Sequence, residues 1–442
     1  MQLSRLLYLG NAFPPGVSAL FPELQPAGHL IETSLINAVR PWFDVRSVGL
    51  SSVDIGRLPQ PLAPSPGLPN ALNLLDRPPA LWNRWQSVRR LRRTYRRWLS
   101  EGWGPDLILV CNFSPVYNAF IRQLAHQKNH PPLVLYLADS TLLDVPLSPF
   151  KRWRYRLKPF KWLDDEMAGL YDGCIAVSAE TETRFRSAGI PWLWLPNGID
   201  PSRVRNHPPG PESGPTVFGY FGHAGDHTGI HHLLRLFAAT ARPSHLKVCC
   251  FGKARTQLAS QFGHLPNVSF HGPFDPEGCV EFGTSCDVLI NPRPRMPGNR
   301  NNFPSKVFEY GLTGRAVLSS SLSGADKILG PHAYYFNADQ YNASLGQMLD
   351  TLVNTPRAEL RQRGQKLQNH LLAEFQWESQ GRRLTSFLQD FLTQTQVGKS
   401  QHSVQEGVPD SLAASGVALG LGAGVDLASS SASSSYNLRD LR

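Results

Sequence analysis

Short apolar runs alternate along the chain with stretches whose apolar residues recur at helical spacing, and the alternation restarts near residue 216. In the first half, Arg5–Leu9, Val45–Gly49, Leu107–Cys111, Leu133–Leu137, Gly173–Val177 and Trp192–Leu195 read as strands. His29–Val39, Val116–His126 and Thr181–Ala188 read as helices between them. The second half repeats the pattern, with strands at Thr216–Phe221, Leu246–Phe251, Val268–Phe270 and Asp287–Asn291, and helices at Ile230–Ala241 and Pro276–Ser285. Such alternation predicts a parallel sheet in each half with helices on both faces, because a parallel crossover needs a connection long enough to hold a helix.

Punctuation between these blocks sets the expected domains. The Pro-rich residues 56–80 read as a long surface loop, and LPNGID (Leu195–Asp200) is a turn leading into a Pro/Gly/Ser-rich connection over 201–215. Residues 357–395 are mainly helical; from about 397 the chain turns to Ser, Ala and Gly with no apolar face, the composition of a disordered tail. The expectation is an α/β protein with two doubly wound, Rossmann-like domains, 1–198 and 199–375, facing a cleft. A helix over 376–396 is placed to cross back to the first domain, and 397–442 form the tail.

Composition narrows the setting. No run of about 18 apolar residues could span a bilayer, and the N-terminal MQLSRLLYLG reads as a first strand rather than a secretory signal. Cysteines 111, 174, 249, 250, 279 and 286 lack CxxC or metal-ligand spacing and lie in or beside apolar runs, as reduced core residues of a cytoplasmic protein do. A net charge of +10 implies acidic partners. It is concentrated between Leu81 and Trp103, where seven arginines face one acid, and in KRWRYRLKPFKW (151–162), which has no acid. Leu81, Trp85, Val88, Leu91, Tyr95 and Trp98 fall at helical spacing among those arginines. That is the pattern of a helix lying on an anionic membrane, or of an amphipathic helix packed on its own domain. No recognition module for nucleic acid accompanies these residues.

FPSKVFEYGLTGRAVLSS (Phe303–Ser320) carries the most chemistry. A short helix is expected to open at Pro304–Ser305, with the serine capping, and to close at Gly314, with a strand from Ala316 to Ser319 behind it. Lys306 and Glu309 then share one helix face. A lysine for phosphate and a carboxylate for two sugar hydroxyls is what binding a nucleotide sugar requires; a solvated surface pair is the plainer alternative.

Four segments resemble the retaining, metal-independent glycosyltransferases of the GT-B fold, family 4 and its relatives. LPNGID is similar to the family's PNGvD at the entry to the donor domain. VFGYFGHAGDHTGIHHLLRLFAA resembles its strand, glycine loop and helix, and VSFHGPFDPEGCVEFGTSCDVLINP the block that follows. FPSKVFEYGLTGRAVLSS looks like its P-x-K-x-x-E segment, so the resemblance covers about 195–385 with weaker echoes earlier. It implies that Glu309 bonds the donor ribose, that Lys306 contacts the diphosphate or sugar, and that Gly222 lets the backbone approach phosphate. Asp139, ending LYLAD, falls where the family often faces the reacting sugar; a strand-end carboxylate is equally suited to act as base, orient an acceptor or cap a turn.

The departures are specific. His223 and Thr228 stand where the family has an Arg and a Lys, and Asn301 replaces a glutamate; His223 is itself a candidate to donate to the donor phosphate, or a structural loop histidine. Arg293, Arg295, Arg300 and Lys253 are candidates to restore the lost charge, and Ser305 belongs with them at the donor side; a solvated basic loop is the alternative. Asn11 and Gly16, in NAFPPG, are expected on the acceptor side.

Other chemistries fit less well. Gly219, Gly222 and Gly225 do not have dinucleotide spacing, and the next strand ends in Gly252-Lys253 rather than an acid. His231 and His232 are neighbours on a helix and face apart, and no metal or cofactor is expected beyond the nucleotide sugar itself. The sequence thus reads as a cytoplasmic glycosyltransferase, peripheral on the membrane face through 81–103 and 151–162 and without nucleic-acid partners. Its acceptor would be a lipid-linked saccharide or a polysaccharide. A non-catalytic scaffold of the same fold and a nucleotide-sugar epimerase are the alternatives.

Overall fold

A computed structural model describes residues 3–12, 26–52, 72–77, 79–127, 129–138, 148–158, 162–204, 213–239, 242–251, 254–272, 274–296, 299 and 303–405. The first sheet holds β1 (Ser4–Gly10), β2 (Phe43–Ser51), β3 (Leu72–Leu75), β4 (Leu107–Cys111), β5 (Leu133–Leu137), β6 (Gly173–Ala176) and β7 (Trp192–Trp194). Their spatial order is β3-β2-β1-β4-β5-β6-β7. The second sheet holds β8 (Thr216–His223), β9 (Ser244–Phe251), β10 (Val268–His271), β11 (Val288–Asn291), β12 (Ala316–Ser320) and β13 (Tyr334–Phe336), in the order β10-β9-β8-β11-β12-β13. The paired strands in both sheets run parallel. This is the doubly wound α/β pair expected from the alternation.

Burial explains why the central strands are legible. Leu6–Leu9 and Ile108–Val110 are covered on both faces, so they read as unbroken apolar runs rather than as alternation. Edge strands are harder to see. β3 lies inside the stretch read as Pro-rich loop, and β13 was not anticipated; each is three or four residues long.

Strand order reverses between β1 and β4 and again between β8 and β11. Connections leave the two sides of each reversal in opposite directions and open a crevice at the strands' carboxyl ends. The chain passes between the halves through Asn197-Gly198-Ile199, and Ile199 bridges Gln376. A Cβ on Gly198 would lie 2.5 Å from the Trp377 ring. Trp377 begins the helix Trp377–Gln405, which returns across the first sheet: Arg383 donates to Trp194 O at 2.8 Å, and Phe391 packs on Gly173. Residues up to Thr395 form one compact unit, and a second begins at Gln396.

Candidate functional site

The site is built on the switch point of the second sheet. Gly222 is the penultimate residue of β8, and its φ of +145° is glycine territory. A Cβ there would stand 2.9 Å from Lys306 Nζ, which shows how closely the ammonium approaches the strand end. Lys306 opens the helix Lys306–Leu312. Val307, Phe308, Tyr310 and Leu312 bury one side of it. Tyr310 Oη donates to Phe221 O at 2.9 Å, its ring meets Phe221 edge to face, and Gln368 Nε2 donates to Leu312 O at 2.7 Å. Gly314 takes the left-handed position after the helix, at φ +66°. Pinned this way, the helix leaves Lys306 and Glu309 as partly exposed neighbours.

Ser305 does not cap this helix. Its backbone is already helical and its side chain accepts no capping bond. The first turn is closed instead by Val307 N–H to Pro304 O and Phe308 N–H to Ser305 O, so the hydroxyl has no orphan donor to satisfy. It lines a cleft with Asn197, Asp200, Arg203 and Glu309.

Lys306 Nζ donates to Tyr220 Oη at 3.0 Å and lies over the Tyr220 ring; Tyr220 Oη in turn donates to His223 O at 2.6 Å. Burial, followed by the charge of Arg293, pushes the Lys306 ammonium down to about 7, while Glu309 opposes the shift. Arg293 is itself buried, on the segment after β11. Burial also lowers His227, helped by Arg293, His223 and Lys306. Neighbouring cationic groups that lower Lys306 and His227 mark a locus of positive potential, where an anion would relieve the repulsion.

The loops around this locus are stitched together. Asn299 Nδ2 donates to His227 O and to Pro294 O, each at 2.8 Å, and Thr228 Oγ1 donates to Gly225 O at 2.6 Å. A Cβ on Gly229 would fall 1.6 Å from Pro292 O. Thr228 is thus a buried turn residue, and exposed His223 stacks on His227.

Glu309 faces Arg203 Nη2 at 3.6 Å. Burial pushes its carboxyl up and Arg203 holds it back down. Arg203 sits on the connection between the halves. It was missed because nothing local in Pro201–Val204 signals a site.

Of the other expected residues, Arg295 turns away to an exposed pair with Asp339 at 2.5 Å. Lys253, Arg300, Asn301, Asp139 and Gly16 lie outside the described residues. At the first sheet's switch point, Asn11 N–H donates to buried Glu32 at 2.6 Å, and Tyr8 Oη donates to the same carboxylate at 3.0 Å. Burial raises Glu32 while these donors oppose it. Asn112, just after β4, has φ +56°, a conformation asparagine tolerates better than most residues, and its Oδ1 accepts from Ala138 N–H at 2.9 Å. Neither Glu32 nor Asn112 stood out in the sequence, where each reads as an ordinary polar position. All six cysteines are buried free thiols. Among the described residues no group of three or more His, Cys, Asp or Glu could hold a metal ion.

Residues 59–203 match Glycosyltransferase Family 4, in the half where the sequence showed only weak echoes. A protein of Bacillus subtilis (strain 168) described as a teichuronic acid biosynthesis glycosyltransferase, TuaH, is 33% identical over 72 residues. That alignment covers 16% of this chain and 18% of the relative, so the chain matches under a fifth of its length. Sucrose-phosphate synthase from Thermosynechococcus elongatus superposes with a TM-score of 0.65 at 14% identity, over 88% of this chain and 99% of that one. Anabaena HepE in complex with UDP superposes with a TM-score of 0.58 at 17% identity, over 87% of this chain and 100% of that one. Two doubly wound sheets with a cationic switch point define the chain as a GT-B protein. Within that class, residues 59–203 are similar to Glycosyltransferase Family 4.

Proposed function

We propose that the chain transfers a sugar from a nucleoside-diphosphate donor to a lipid-linked or polysaccharide acceptor, with retention and without a metal ion, at the cytoplasmic face of a membrane. The carrying observation is Lys306 Nζ against Gly222, beside buried Arg293 and with Glu309 on the same helix. In the reaction the anomeric C–O bond to the diphosphate breaks, an acceptor hydroxyl oxygen bonds to that carbon, and the hydroxyl proton passes to the departing diphosphate. Lys306 and Arg293 stabilise the departing diphosphate, replacing the cations absent at His223 and Thr228. Glu309 accepts the ribose hydroxyls, displacing Arg203. Asp139 remains the candidate to face the reacting sugar, with Asn11 and Gly16 on the acceptor side. The reading gains support from the structures of HepE with UDP and with UDP-glucose, which share this fold.

The test is calorimetric titration of wild type and Lys306→Ala with nucleoside diphosphates and their sugars, followed by donor hydrolysis on the tightest binder. Selective binding that the substitution abolishes, accompanied by slow hydrolysis, is expected. Binding without any turnover would leave a scaffold, and interconversion of donors without an acceptor would make it an epimerase.

A further inference from the structure

The helix Pro149–Arg156 contributes no buried residue to the core. It nonetheless carries large apolar side chains: Phe150 is 66% exposed, Trp153 56%, and Leu157 just beyond it 63%. At spacings of three and four residues these form one outward stripe, and the Phe150 and Trp153 rings lie 6.0 Å apart. Two of its cations are tied to a neighbouring helix instead. Arg152 pairs with Asp165 at 2.8 Å, and Arg156 with Glu166, both acids belonging to the helix Asp164–Ala168. That leaves Lys151, Arg154 and Lys158 exposed around the stripe, with no acid in 148–158. An ordinary surface helix buries its apolar side; this one leaves it in solvent, ringed by exposed cations.

The longer helix Ala80–Ser100 sharpens the contrast. Val88, Leu91, Tyr95 and Trp98 of its stripe are buried against its own domain, while Leu81, Trp82 and Trp85 in its first turns and Leu99 in its last are exposed. The arginine helix therefore does not lie flat on a membrane along its whole length.

We propose that Phe150, Trp153 and Leu157 insert at the headgroup–acyl boundary of an anionic bilayer, with Lys151, Arg154 and Lys158 on its phosphates. An aromatic-aliphatic stripe rimmed by cations is the complement of that interface. Single-stranded nucleic acid would use the rings and cations but has no use for Leu157. The inference deepens the membrane-face part of the proposed function and names its contact element.

The test is sedimentation of the full chain with vesicles of equal parts phosphatidylcholine and phosphatidylglycerol, and with phosphatidylcholine alone. Wild type is expected to bind the anionic vesicles at low salt and to lose binding as salt rises. Trp153→Ser with Leu157→Ser should reduce partitioning about tenfold, with nucleoside-diphosphate affinity unchanged as proof of an intact fold. No wild-type binding at low salt overturns the proposal, as does wild-type-like binding by the double variant. Equal binding to neutral vesicles overturns the anionic partner. A change of oligomeric state in the double variant, without lipid binding by wild type, assigns the stripe to a second copy of the chain instead. Failure of nucleotide binding with vesicle binding retained removes the donor reading and leaves this surface standing.

Discussion

With the ammonium of Lys306 titrating at about 7 rather than 10.5, the folded chain holds fewer protons there than the unfolded chain between those values. The group therefore adds stability as pH rises through that window and costs most below it. Lys306→Met is expected to raise stability at pH 6 by roughly 1 kcal/mol, measured by thermal denaturation, while abolishing diphosphate binding. The same titration predicts that wild-type affinity for a nucleoside diphosphate falls as pH rises through about 7, because the anion prefers the ammonium; calorimetry across pH checks it. Glu309→Ala should weaken nucleotide binding by roughly 1–3 kcal/mol, the loss typical of hydrogen bonds to a charged partner. Arg203 holds the Glu309 carboxyl down against burial. Arg203→Gln should therefore make nucleotide affinity fall away at a higher pH than in wild type as the solution is acidified. An unchanged profile would detach Arg203 from the site. Lys306 and Glu309 were legible because an i, i+3 spacing is local; Arg203 was not, because it reaches Glu309 from 106 positions earlier in the chain.

A helix of seven residues such as Lys306–Leu312 has too few internal bonds to be stable alone. It is held by β8 on one side and by the helix Arg357–Glu374 on the other, where a Cβ on Gly364 would lie 2.4 Å from both Arg315 C and Gly314 O. Gly to Ala inside a helix ordinarily stabilises. Here the methyl meets backbone, so Gly364→Ala should cost roughly 1–3 kcal/mol in a denaturant melt and weaken nucleotide binding by shifting Lys306. The helix Ala80–Ser100 teaches a related point. Its apolar stripe was evident, but periodicity specifies that a face is apolar and not what covers it. The domain takes Val88 to Trp98, and solvent meets Leu81 and Trp82.

Across the molecule, the crevice is framed by the returning helix as well as by the sheets. A Cβ on Gly381 would lie 2.6 Å from Ala38 Cβ, so the last helix and the helix Pro26–Val39 nearly touch backbones. Gly381→Val should lower the melting temperature and slow turnover more than it weakens nucleotide binding, because it disturbs the first half while leaving Lys306 and Glu309 in place. Equal loss in both measurements would show that the two halves act as one. The amino-acid sequence by itself determined two doubly wound sheets, their central strands, the Lys306–Glu309 pair and the left-handed turn at Gly314, since each depends on neighbours within a few positions. Only the tertiary structure decided that Lys306, Arg293 and His227 share one positive locus, that Arg203 meets Glu309, and that Trp153 points outward while Trp98 points in. Those outcomes follow from strand order and packing, which join residues distant in the chain and leave no local periodicity to read.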